Sequence, residues 1–118
     1  MGHDKSTILV VEDEVDSREA LRDLLELEGY QVRTATNGRE ALDVLAVSGD
    51  EICMVLLDLF MPVMDGWQVI DELRTSGKLA QTQIVIITSA AYRAPAGIPV
   101  FEKPLDMDKV MNAVATLC

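Results

Sequence analysis

Aromatic side chains are scarce in this chain: Phe, Trp and Tyr make up 4% of its 118 residues, against 49% hydrophobic overall. The core must therefore be aliphatic, built from Val, Ile, Leu, Met and Ala, as suits strands covered by helices on both faces. Basic residues are also few, 10 Lys and Arg against 20 Asp and Glu, for a formal net charge of −10. No run of five or six like charges occurs, and the acidic excess argues for a solvated surface and against nucleic-acid binding by this domain. Cysteine occurs only as Cys53, inside an apolar run, and Cys118. One buried and one terminal thiol do not make a disulfide framework, so a reducing, cytoplasmic setting is expected. No apolar stretch approaches the length of a membrane span, and Met1-Gly2-His3-Asp4-Lys5 lacks the apolar core of a signal peptide, so a soluble protein without a membrane partner is expected. Repeats and internal linkers are absent, and residues 1–118 suffice for one domain but not for two ordinary ones.

What is present is an alternation of strand-length apolar runs with segments of helical period. Ile8–Val11 precedes Asp16–Glu28, where Ala20, Leu21, Leu24, Leu25 and Leu27 supply an apolar face and Gly29 a stop. Gln31–Ala35 is a short strand; Asn37 reads as an N-cap with Glu40 closing a capping box, ahead of the buried stripe Ala41, Leu42, Leu45, Ala46. Ile52–Leu57 is a strand buried on both faces. A third helix, from about Asp65 to Thr75, buries Trp67, Val69, Ile70 and Leu73. Ile84–Ile87 and the brief Val100-Phe101 are further strands, and Asp106 caps a last helix carrying Met107, Val110, Met111, Val114 and Leu117. Such alternation predicts a parallel sheet with right-handed crossovers. Between Ser89 and Pro99, however, lie only nine residues, with Pro95 and Gly97 among them. A crossover helix needs more chain and tolerates no interior proline, so the fourth helix, in the region 90–98, must be absent or cut to about one turn.

Ligands of open parallel sheets bind beyond the C-terminal strand ends. Four strands deliver polar groups there: Glu12 and Asp13, then Asp58, then Thr88 or Ser89, then Lys103. Three carboxylates at close quarters repel one another, and one lysine cannot balance them. Mg²⁺ fits, since it takes oxygen ligands and bridges to phosphate; Mn²⁺ could stand in its place. Lys103 and a hydroxyl would clamp the other oxygens of a phosphoryl group, and Asp58 is a competent nucleophile for an aspartyl phosphate. Taken alone, Asp13 could equally cap the helix that follows, and Asp65 reads as a cap rather than a metal ligand. Gly66 reads as serving a backbone turn.

The pair Glu12-Asp13, Asp58 with Met61-Pro62-Val63-Met64-Asp65-Gly66, Thr88, and Lys103-Pro104 occur in an order and spacing that resembles the receiver domain of two-component response regulators, over essentially the whole chain. The resemblance implies an α/β, flavodoxin-like (CheY-like), doubly wound five-stranded parallel sheet with strand order 2-1-3-4-5. It implies phosphoryl transfer to Asp58 from the phosphohistidine of a sensor histidine kinase or a histidine phosphotransfer protein, the domain catalysing its own phosphorylation and dephosphorylation without being a turnover enzyme. It also implies Mg²⁺ held by Asp13, Asp58 and the backbone carbonyl of Phe60, with Glu12 acting through water, phosphate contacts from Thr88 and Lys103, and a typically cis Lys103-Pro104 bond. The output would pass to a protein or effector domain that this sequence does not name, the chain being either a stand-alone receiver or a piece of a larger regulator or hybrid kinase.

The chain departs from that family in several places. The shortened fourth unit removes surface that many receivers use to dimerise or signal. The position three before Lys103, often an aromatic switch, is Val100, and its neighbour Phe101 points to the opposite face. Tyr92 and Arg93 in the short loop are candidates for partner contact. Neither Phe60 nor Ala90, each two residues beyond Asp58 and Thr88, can position an attacking water, so slow dephosphorylation is expected. The same residues admit two alternatives: a pseudo-receiver acting as a phosphorylation-independent interaction module, and a Mg²⁺-dependent phosphohydrolase. The latter would need a second acid where Phe60 stands.

Overall fold

Five parallel strands form one sheet in the order β2-β1-β3-β4-β5 in this computed structural model, which describes residues 7–118. The strands are β1 (Thr7–Val11), β2 (Gln31–Ala35), β3 (Ile52–Asp58), β4 (Ile84–Thr88) and β5 (Val100–Glu102); the helices are α1 (Val15–Leu27), α2 (Gly38–Ser48), α3 (Gly66–Thr75) and α4 (Met107–Leu117). The sequence reading of residues 1–5 lies outside the described residues.

Period-2 alternation sorts the aliphatic strands into two cores. Leu9, Val11, Val55, Leu57 and Ile86 face α2 and α3, meeting Ala41, Val69, Ile70 and Leu73. Ile8, Val10, Met54, Leu56, Val85 and Ile87 face α1 and α4, meeting Leu21, Leu25, Val110 and Val114. Strands covered on both faces explain why these runs are continuously apolar. On α1 the buried stripe is the i,i+4 pair Leu21 and Leu25; Leu27 and Ala20, expected on that face, are exposed because they lie off it around the helix. Gly29, at φ 99°, stops α1 as expected.

The fourth unit is indeed cut down: one 3₁₀ turn, Ala91–Arg93, is all the helix between β4 and β5. The remaining strap covers the sheet with Ala94 and Ile98, which pack on the first core beside Val100. Phe101 packs into the second core, on the opposite face, as the alternation required.

Two sequence expectations are corrected. Cys53 and Cys118 are paired as a disulfide, with Cα atoms 5.6 Å apart, because α4 ends beside β3; strand and helix end, 65 residues apart in sequence, carry no local signal of meeting. The expectation of no disulfide, drawn from one thiol in an apolar run and one at the terminus, is thereby overturned. Gly66 does not occupy a positive φ. A Cβ there would lie 2.6 Å from the Asp58 carbonyl oxygen and 2.8 Å from Leu59 Cα, so the glycine serves close backbone approach.

The residue that does carry positive φ in the β3–α3 loop is Val63, at 69° and 80% exposed. A β-branched residue there costs about 1–2 kcal/mol. Val63→Gly is expected to stabilise the fold by roughly 0.5–1 kcal/mol, the gain being trimmed by the entropy glycine adds to the unfolded chain. A urea midpoint that stays put or falls would refute this.

Candidate functional site

Register brings the C-terminal strand ends level. Val11 pairs with Leu57 across β1 and β3, Asp58 with Ile87 across β3 and β4, and Thr88 with Glu102 across β4 and β5. Glu12, Asp58, Thr88 and Lys103 consequently sit along one edge. Glu12, Asp13 and Asp58 each offer a carboxylate oxygen, and these oxygens lie within 4.8 Å of one another. Glu12 is 1% exposed and Asp58 4%, whereas Asp13 is exposed and opens the cluster to solvent.

Lys103 Nζ donates to Glu12 Oε1 at 2.6 Å and to Asp58 Oδ2 at 3.4 Å. The Lys103-Pro104 bond is cis, as the resemblance implied. Asp58 Oδ1 accepts from the backbone N–H of Phe60 at 3.3 Å, and Glu12 Oε2 from that of Glu14 at 3.2 Å. Thr88 is fully buried, its Oγ1 accepting from Ala90 N at 3.1 Å, while Ser89 is exposed, which places Thr88 as the hydroxyl of the buried edge. Burial pushes the Glu12 carboxyl above its usual range, and the like charge of Asp58 adds to this, outweighing Lys103, which pulls the other way. Burial alone would lower Lys103, but the hydrogen bond to Glu12 and the charges of Asp58 and Glu12 carry it above its ordinary value. One shared ammonium thus leaves the trio short of positive charge. Hard oxygen donors converging on one point with a charge deficit are a fitting set for a divalent cation such as Mg²⁺.

The structure settles several capping questions. Glu14, not Asp13, caps α1, accepting from Ser17 N, which leaves Asp13 free of that duty. Asp65 caps α3 in a reciprocal box with Gln68. Asn37 caps α2, accepting from Glu40 N at 2.9 Å, but the Glu40 carboxylate reaches one residue further back, to Thr36 N, so that box is not closed on Asn37.

Three contributors escaped the sequence reading. Arg18 Nη1 donates to the carbonyls of Glu12 and Asp13, at 3.0 and 3.3 Å, bracing the acidic turn. A cation one turn into the helix after an acidic pair is the signal that could have found it. Gly38 lets α2 touch the Met64 carbonyl, donating its N–H to that oxygen at 2.8 Å. The third is a cluster at the mouth of the site: Phe60 and Trp67 pack edge to face at 5.2 Å, with the Arg93 guanidinium 5.5 Å and 5.0 Å from the two rings.

Comparison with known families matches residues 8–115 to the response regulator receiver domain. The chain belongs to that family. It is 47% identical over 115 residues to the response regulator MprA of Mycolicibacterium vanbaalenii, covering 93% of this chain and 49% of that protein. It is 32% identical to the sporulation initiation phosphotransferase F of Bacillus subtilis, over 91% of this chain and 89% of its relative. Among solved structures, the response regulator TrrA of Thermotoga maritima, in complex with Mg²⁺-BeF, superposes with a TM-score of 0.83 at 32% identity, covering 96% of this chain and 99% of that one. The chain spans between 34% and 49% of the length of three of its curated relatives. It is thus a receiver domain of the kind found in the response regulators of two-component signalling.

Proposed function

We propose that residues 1–118 act as one receiver domain whose phosphoacceptor is Asp58, charged by a phosphohistidine on a sensor histidine kinase or a histidine phosphotransfer protein. The observation that carries this is the convergence of Glu12, Asp13, Asp58 and Lys103 at one strand edge, with a single cation among three acids. An oxygen of the Asp58 carboxylate attacks phosphorus; the P–N bond to imidazole breaks as the P–O bond forms, and the imidazole nitrogen leaves with its electron pair and takes up a proton. Asp13, Asp58 and the Phe60 carbonyl would hold Mg²⁺ (or Mn²⁺), with Glu12 acting through water. Bound there, the ion would offset the carboxylate charge and bind a phosphoryl oxygen. Lys103 donates to another oxygen and Thr88 offers its hydroxyl, with Ser89 the alternative. Phosphorylation would switch contacts with an output protein or effector domain, this acidic domain not itself binding nucleic acid. A cytoplasmic setting rests on the phosphohistidine donor of the receiver reading and not on the cysteines, which are paired; among the described residues no helix is long and apolar enough to cross a membrane.

Intact-mass measurement after incubation with acetyl phosphate and Mg²⁺ tests the reading. One added phosphoryl group is expected, absent without Mg²⁺ and in Asp58→Asn; no adduct on the wild type, or an undiminished adduct on the variant, contradicts it.

The domain would also hydrolyse its own phosphoryl group, but slowly. Phe60 is apolar and Ala90 is buried, and neither side chain carries a group to orient water at Asp58. Phe60→Asn is expected to speed decay of the phosphoprotein about tenfold, a modest return for a positioned polar group. An unchanged half-life would sink this explanation of slow decay.

A further inference from the structure

Arg93 stands out at the mouth of the site because its guanidinium rests on aromatic faces alone: among the described residues it takes part in none of the salt bridges. It is exposed, and cation–π contacts at exposed sites are weak. One of those faces belongs to Phe60, whose backbone N–H is bonded to Asp58 Oδ1. The other belongs to Trp67, whose Nε1 donates to the Arg93 carbonyl at 3.1 Å and so ties the short strap to the start of α3. A single 3₁₀ turn joins this arginine to the buried hydroxyl. Thr88 Oγ1 accepts from Ala90 N, and the Ala90 carbonyl accepts from Arg93 N at 2.9 Å.

We propose that Arg93 is a second cation for the phosphoryl group, stored on the Phe60 and Trp67 rings and drawn to the oxygens of phosphorylated Asp58. The inference rests on the receiver reading above. Phosphorylation exchanges a carboxylate for a more highly charged group bearing three acceptor oxygens, in a cluster already short of positive charge. A guanidinium meets such oxygens through paired, charge-assisted hydrogen bonds, which outweigh two exposed cation–π contacts. The strap that replaced a whole helix thereby gains a direct contact to the phosphoryl group, in a chain whose position 100 carries valine and has no aromatic ring to swing inward.

Trp67 is the single tryptophan of the chain, so its fluorescence reads this cluster alone. The experiment titrates beryllofluoride at saturating Mg²⁺, following bound fluoride by ¹⁹F NMR and Trp67 by emission, on the wild type, Arg93→Met and Arg93→Lys. The wild type is expected to bind and to shift its Trp67 emission as the guanidinium leaves the indole. Arg93→Met, which keeps the bulk without the charge, should bind beryllofluoride about tenfold more weakly, and Arg93→Lys about threefold, as loss of a charge-assisted bond or of its bidentate form requires. Mg²⁺ affinity, measured calorimetrically without beryllofluoride, should stay within about twofold, which a general loosening of the site would not allow. Equal beryllofluoride affinity in Arg93→Met and wild type, or a wild-type Trp67 signal unmoved at saturation, overturns the role of Arg93 and leaves the receiver reading standing. Failure of the wild type to bind beryllofluoride at all overturns both.

Discussion

Alanine at position 66 is expected to destabilise the domain by roughly 2–3 kcal/mol, the range for forcing a methyl into a tightly packed place. The two nearest atoms its Cβ would strike are backbone, the Asp58 carbonyl oxygen at 2.6 Å and Leu59 Cα at 2.8 Å, and these cannot swing aside as Leu59 Cδ2, at 2.9 Å, could. Gly66 N donates to the Leu59 carbonyl at 2.9 Å, fixing α3 against the end of β3, and the added methyl would push the two apart. The residue displaced is Asp58, the proposed phosphoacceptor. Gly66→Ala should therefore lose phosphorylation by acetyl phosphate even at temperatures where circular dichroism reports a folded chain. A denaturation midpoint within experimental error of wild type would show that the backbone can yield, and the packing argument would fail.

Lys103→Met should separate stability from chemistry. Removing the ammonium leaves the buried Glu12 and Asp58 carboxylates, among the described residues, with backbone N–H partners but no cation. Breaking a fully buried ion pair costs about 3–5 kcal/mol. Here the lysine side chain remains 27% exposed and the acids can take up a proton, so about 2 kcal/mol is expected. The loss should depend on pH. Glu12 already lies above its ordinary 4.5 in the fold, chiefly through burial. A raised carboxyl contributes stability that is present in full below the unfolded value and lost as pH rises through the folded one. Without Lys103 that rise steepens, so the deficit against wild type should be largest near neutrality and shrink toward pH 4. Uptake of phosphoryl should fall at least about a hundredfold, since a charge-assisted contact to the transferring group disappears. Mg²⁺ should still bind, the carboxylates proposed to hold it being intact. Wild-type phosphorylation in Lys103→Met would remove lysine from the mechanism.

The legible parts of this protein are those where a local pattern decides the outcome. Continuous aliphatic runs at Ile8, Ile52 and Ile84 specify doubly covered strands. Nine residues between Ser89 and Pro99 cannot hold a crossover helix, and the single turn at Ala91–Arg93 follows from that count. Acids and a lysine placed directly after strands are carried to one edge by any parallel sheet, which is why Glu12, Asp13, Asp58 and Lys103 could be assembled from the sequence alone. What escaped depends on contacts between segments distant in the chain. Phe60, Trp67 and Arg93 meet only because the strap folds back over α3; alone, Phe60 reads as a backbone-carbonyl metal ligand, Arg93 as a loop residue open to a partner and Trp67 as half-buried, and none signals the cluster. The meeting of Cys53 with Cys118 joins β3 to the residue after α4, 65 positions along the chain. Gly66 reads in sequence as a turn residue, and only the packed structure shows that the backbone of Asp58 lies against it.

The assignment of Asp58 as phosphoacceptor is tested most directly by trapping the acyl phosphate with borohydride after incubation with acetyl phosphate and Mg²⁺, then mapping the product by peptide mass spectrometry. Reduction converts a phosphorylated aspartate to homoserine, and the account predicts homoserine at position 58 and at no other. Homoserine at Asp13 or elsewhere, or a phosphorylated protein that yields no homoserine at position 58, would contradict it.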